Sequence, residues 1–184
     1  MIKVTDNMKK QWNKWMSNLF EYLPTRYEAT PRDWEVRRFI WDFKDGNRSL
    51  GAAKVVADRL IKQFGEGIKQ MTFVCIPASS AEKNEKRYHQ FSEEVCRLTG
   101  AANAFDAITV SGSRLAIHET KRGAKQVYDA EVIEFDEQFF NGRQVIVFDD
   151  IITRGYSYAR FACKLESFGA SVIGGLFLAK TINF

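Results

Sequence analysis

Residues 143–181 constrain the fold of this chain more than any other part of it. Val145 to Phe148 are four consecutive apolar residues, the mark of a strand covered on both faces rather than one. A short polar loop follows, and then Tyr158, Phe161, Ala162, Leu165 and Phe168 recur at helical spacing until Gly169. "SVIGGLFLA" then reads as a second buried strand. Strand, loop, helix and strand in this order imply a parallel pair joined by a right-handed crossover.

The rest of the chain extends this pattern. "MTFVCIP" reads as a buried strand ending at Pro77, and "HQFSEEVCRLTG" as a helix ended by Gly100. Ser49 is placed to cap a helix running to about Phe64, where Gly65 and Gly67 stop it. "EVIEF" is a short strand and Asn141-Gly142 a tight turn before "QVIVF", the central strand. Met8, Trp12, Trp15, Met16, Leu19 and Phe20 predict a core-packing or subunit-contact helix over 8–20, while Pro24 and Pro31 interrupt the segment after it. Residues 110–130 are polar, rich in cations and poorly periodic, and read as a mobile loop. The expected architecture is α/β, a mostly parallel central sheet with helices on both faces and an N-terminal helical extension. The division is residues 1–45 for the extension and 46–184 for the main domain.

At 184 residues and 45% hydrophobic, the chain can bury one sizeable core. No apolar run reaches the roughly 20 residues of a membrane span, and the N-terminus is too polar for a secretion signal. Cys75, Cys96 and Cys163 are far apart and without Cys-x-x-Cys spacing, which argues against a disulfide framework or a zinc site and fits a cytoplasmic location. The net charge of +4 suits an anionic ligand and an ordinary soluble protein equally. Nucleic acid is not an expected partner, and a homodimer through the Trp12 and Trp15 stripe is.

The central strand runs into Asp149 and Asp150, and Thr153-Arg154-Gly155-Tyr156-Ser157 then opens a helix. Ligands of open parallel sheets collect beyond the carboxyl ends of the strands. Amides at a helix start, with the positive end of its dipole, form an anion site that the Thr153 and Ser157 hydroxyls extend. Two carboxylates beside it can accept from neighbouring hydroxyls, so a ribose 5-phosphate meets both demands. A metal pair and a plain polar strand terminus are the other readings that spacing leaves open. Neither a P-loop nor a dinucleotide-binding glycine fingerprint occurs.

"VIVFDDIITRGYS" resembles the signature of the type I phosphoribosyltransferases: apolar residues, two acids, two apolar residues, then Thr-x-Gly-x-Ser/Thr. Arg154 departs from it, standing where a small residue or Thr is frequent. The likeness extends to the ComF-type competence-protein branch, close to amidophosphoribosyltransferases, through "FIWDFKDGN", "VCIPASS", "RYHQF" and, loosely, "RLAIHETKRG". That branch carries an N-terminal four-cysteine zinc module, whereas no cysteine precedes Cys75.

The resemblance implies a protein that binds 5-phosphoribosyl 1-pyrophosphate with Mg²⁺ and passes phosphoribosyl to a base or amine, releasing pyrophosphate. It implies that Asp149 and Asp150 hold the ribose, residues 153–157 the 5-phosphate, and Ala78, Ser79, Ser80 and Arg87 the pyrophosphate. Arg114 and Lys121, with Arg122, belong to a loop closing over the site. Mg²⁺ is carried chiefly by the substrate, with Asp149 or Asp150 as a direct ligand in the alternative. His89 and His118 are weaker ligand candidates. The second functional reading is a non-catalytic module that senses the same activated sugar in DNA uptake or nucleotide regulation.

Overall fold

The computed structural model describes residues 4–111 and 132–182. It is an α/β fold whose five-stranded sheet has the order β1 (Trp15–Tyr22), β7 (Ser171–Thr181), β6 (Gln144–Ile152), β2 (Met71–Cys75) and β3 (Ala102–Asn103). Every pairing in that sheet is parallel. The expected central strand is therefore the middle strand. A separate antiparallel pair, β4 (Ile108–Ser111) and β5 (Val132–Phe135), flanks the undescribed segment. Among the described residues, no helix is long and apolar enough to cross a membrane.

Alternation along β6 divides the core into two. Ile146 and Phe148 pack with α2 (Pro31–Lys44), α3 (Ser49–Phe64) and α4 (Ala81–Thr99), in a cluster that includes Phe43, Leu60 and Phe91. Val145 and Val147 pack on the other side with α1 (Asp6–Trp12), α5 (Glu137–Phe140) and α6 (Tyr156–Ser167). Phe148 is fully buried among rings, 4.7 Å from Phe91 and 5.7 Å from Phe73 between centroids. Helices thus cover both faces of the sheet, and this is why β6 shows no polar side in the sequence.

Four expectations need correction. The stripe over 8–20 is not one helix: α1 stops at Asn13, and β1 begins at Trp15 as the sheet edge beside β7. Trp15 and Leu19 join the first core cluster and Met16 the second, so β1 is apolar toward both layers and its spacing imitates a helical face. Pro31 does not interrupt a segment but starts α2. Thr30 caps that helix, and Asp33 returns the bond to the Thr30 amide. Ser49 lies inside α3 rather than capping it, and its Oγ donates to the Gly46 carbonyl at 3.3 Å. Finally, β6 continues to Ile152, so the two aspartates belong to the strand itself.

The tryptophans expected at a dimer contact are half-buried against the protein's own rings. Trp15 packs edge-on to Phe64 at 5.0 Å, and Trp12 meets Tyr156 at 5.7 Å.

Candidate functional site

Because β6 persists through Asp149 and Asp150, its period of two sends the carboxylates to different surroundings. Asp150 follows Phe148 toward α2 and α4 and is buried. Its Oδ2 accepts from Arg87 Nη1 at 2.8 Å, and its Oδ1 lies 3.5 Å from Lys44 Nζ. Arg87 Nε also donates to the Lys44 carbonyl at 3.2 Å, which closes a triad between the end of α2, α4 and β6. Asp149 faces the α6 side and has no ion-pair partner among the described residues. Its Oδ1 accepts from the Asp150 amide at 2.9 Å. Burial, and then the like charge of Asp150, push the Asp149 carboxyl up to about 8.

Beyond Ile152 the loop turns into α6 through Gly155, whose φ of 72° lies in the left-handed region. Gly155 is the N-cap and brings no side-chain cap, so the first amides of this 12-residue helix lack a side-chain acceptor. A cavity of about 310 Å³ opens there, lined by Asp149, Thr153 to Ser157 and Arg160 among others. Thr153 Oγ1 shares a 2.8 Å hydrogen bond with Thr181 Oγ1, which ties the loop to β7.

A second cavity, of about 610 Å³, joins this loop to the neighbouring strand end. Lys44, Ala78, Ser79, Arg87, Asp149, Asp150 and Ser157 all line it. Six of these residues, all but Lys44, are expected at a sugar-pyrophosphate site from the sequence, and the fold brings them to one opening. Other candidates stand apart from it. Ser80 caps α4 and accepts from the Lys83 amide. Ala78 does line the cavity, but its amide donates to Asn84 Oδ1 at 3.0 Å, so a ligand would meet it already engaged. His89 lies between Glu85 and Glu93 on α4, with Nδ1 3.0 Å from the former. Arg114, His118, Lys121, Arg122 and Lys125 lie outside the described residues.

The sequence assigns Lys44, Arg160, Lys164 and Trp12 no place at the site. Lys44 stands in "FIWDFKDGN" at the last position of α2, and only the tertiary fold reveals that it reaches Asp150. Arg160 and Lys164 were open to a spacing argument: Ser157, Arg160, Phe161 and Lys164 share one helical face, and all four line the larger cavity. Trp12 comes from the far side of the loop. Its Nε1 donates to the Gly155 carbonyl at 3.1 Å, and its ring packs edge-on to Tyr156. The indole therefore holds the turn from behind. Trp12→Phe keeps the ring and removes the donor, which should cost about 1 kcal/mol of stability. Ribose 5-phosphate binding should weaken about fivefold, on the scale of one lost positioning bond. Calorimetry beside a thermal melt measures both, and unchanged affinity would show that Trp12 only fills space.

No family model and no curated protein matches the chain. Among solved structures it is similar to two from an analysis of an invariant aspartic acid in HPRTs. The glutamic acid mutant is 13% identical, with 74% of this chain and 76% of that one covered and a TM-score of 0.37. The asparagine mutant is 12% identical, with 74% of each chain covered and a TM-score of 0.36.

Proposed function

We propose that this chain is a type I phosphoribosyltransferase-like protein that binds 5-phosphoribosyl 1-pyrophosphate and transfers its phosphoribosyl group to a base or amine. The observation that carries this reading is the single cavity shared by Asp149, Asp150, Ser157, Ala78, Ser79, Arg87 and Lys44. It offers acceptors for sugar hydroxyls, an uncapped helix start for a phosphate, and cations for a leaving diphosphate.

In the reaction, the bond from the anomeric carbon to the pyrophosphate oxygen breaks and a bond from that carbon to the acceptor nitrogen forms. The acceptor gives up a proton. Residues 153–157 fix the 5-phosphate, so that positioning lowers the barrier. Asp149 and Asp150 hold the ribose and favour the positive charge that develops on it. Arg87 and Lys44 attract the departing diphosphate, a task the resemblance also gives to Arg114 and Lys121. Among the described residues Asp149 has no cation partner, which fits a Mg²⁺ ion whose other ligands would come from the sugar pyrophosphate. When bound, Mg²⁺ neutralises charge on the leaving group. Within this reading residues 1–45, the N-terminal extension, supply Trp12 and Lys44 to the site, while 46–184 carry the rest. The non-catalytic alternative draws on the Asp150 triad, in which a carboxylate expected to grip the ribose is already neutralised by two cations.

A pyrophosphate-release assay over purine and pyrimidine bases and simple amines, beside calorimetry with 5-phosphoribosyl 1-pyrophosphate and Mg²⁺, tests the reading. Release is expected with at least one acceptor, and loss of Arg114 and Lys121 should lower turnover more than affinity. Binding without release from any acceptor selects the sensor, and absence of binding removes both. The raised Asp149 value adds a pH signature. The site needs the ionised carboxylate, so binding at pH 7 should release close to one proton. Affinity should fall about tenfold for each unit below pH 8. Titrations in buffers of different ionisation enthalpy read this directly, and a heat independent of buffer would take Asp149 out of the contact.

A further inference from the structure

Asp150 already holds the two cations that a diphosphate in this cavity would need. Asp150 is 6% exposed and is held by Arg87 at 2.8 Å and by Lys44 at 3.5 Å. Those two cations line the same cavity as Ala78 and Ser79. Arg87 and Lys44 offset the charge of the Asp150 carboxylate, so a sugar hydroxyl gains less from Asp150 while both cations remain on it. A diphosphate, carrying several negative charges, competes well for the cations themselves.

We propose that Lys44 and Arg87 exchange between Asp150 and the diphosphate of an incoming ligand, and that Asp150 accepts from the ribose only after this exchange. The inference rests on the function proposed above and adds its selectivity. The site distinguishes an activated sugar from ribose 5-phosphate because only the former brings the charge that frees Asp150. Asp149, which is paired with no cation among the described residues, engages either sugar. The exchange has a thermodynamic signature of unusual sign. Two anions sharing one cavity normally repel. Here pyrophosphate and ribose 5-phosphate, added as separate molecules, should strengthen one another, and by the same factor in either order.

Calorimetry with inorganic pyrophosphate and ribose 5-phosphate, with no acceptor present, tests this. In the wild type, saturating pyrophosphate should tighten ribose 5-phosphate binding about tenfold. Asp150→Asn should bind pyrophosphate about tenfold more tightly than the wild type, because its cations are no longer shared, and should abolish the coupling. Lys44→Met should weaken pyrophosphate and reduce the coupling, and it decides the matter if Asp150→Asn does not fold. Mutual weakening of the two ligands, or a folded Asp150→Asn that binds pyrophosphate no better, would overturn the exchange, as would pyrophosphate binding unchanged in Lys44→Met. Tightening in Asp150→Asn without any binding of 5-phosphoribosyl 1-pyrophosphate would leave the exchange standing and defeat the broader reading instead.

Discussion

Gly155→Val is expected to abolish measurable binding of ribose 5-phosphate, a loss of more than about hundredfold, or ~2.7 kcal/mol. Two effects combine. A φ of 72° costs an ordinary side chain about 1 to 2 kcal/mol, and a β-branched one is the least able to adopt it. In addition, a Cβ at this position would lie 2.8 Å from Trp12 Nε1 and 3.3 Å from Trp12 Cδ1. The side chain would thus collide with the indole behind the loop, not with a phosphate in front of it. The turn that presents the α6 amides would be displaced through its own support. Gly155→Ala should show the same effects at smaller size. Pairing it with Trp12→Ala should restore part of the lost affinity, since the steric conflict disappears while the backbone strain remains. A double-mutant cycle measures that coupling. Ribose 5-phosphate binding by Gly155→Val at wild-type strength would show that the loop is not the phosphate cradle.

Asp149→Asn should move stability and binding in opposite directions. The folded protein holds this carboxyl at about 8 against an ordinary 3.8, so between those values the folded state binds more protons than the unfolded chain. Stability then falls as pH rises through that window, because ionising Asp149 in place is unfavourable. An asparagine removes the cost. At pH 7.5 the variant should gain on the order of 1 to 4 kcal/mol, with little gain below pH 4. Affinity for 5-phosphoribosyl 1-pyrophosphate should nevertheless drop about 10- to 100-fold, as a charge-assisted acceptor is lost. Thermal melts across pH with calorimetry at one pH decide it. A variant less stable than wild type at pH 7.5 would show that Asp149 supports the fold rather than straining it.

Much of the parallel sheet was legible because β2, β6 and β7 each carry a largely apolar stretch close to Gly, Pro or a polar loop. The Asp149–Ser157 segment was legible for a different reason: phosphate, hydroxyl and carboxylate chemistry lies contiguous in the chain. What failed was local pattern under tertiary override. β1 is apolar toward both helical layers, so its alternation vanishes, and nothing short-range separates it from α1 except Asn13 and Lys14. α2 carries a readable start at Thr30, Pro31 and Asp33, but Pro31 following Pro24 reads equally as a second chain breaker. The Lys44–Asp150–Arg87 triad was beyond reach from sequence. Its members come from three elements, and Lys44 and Arg87 look like ordinary solvated cations until the helices pack.

The pairing of β1 with β7 has a consequence in time rather than in space. Trp15 lies beside Gly174, and Tyr22 beside Thr181, so this edge joins segments from opposite ends of the described chain. Closing so long a loop is entropically slow compared with forming the crossover from β6 through α6 to β7, whose contacts are local in sequence. The indole that steadies Gly155 arrives with that same edge. Ligand affinity should therefore mature later in refolding than the sheet's centre. A stopped-flow trace of ribose 5-phosphate binding should then lag behind the burial of the β6 core.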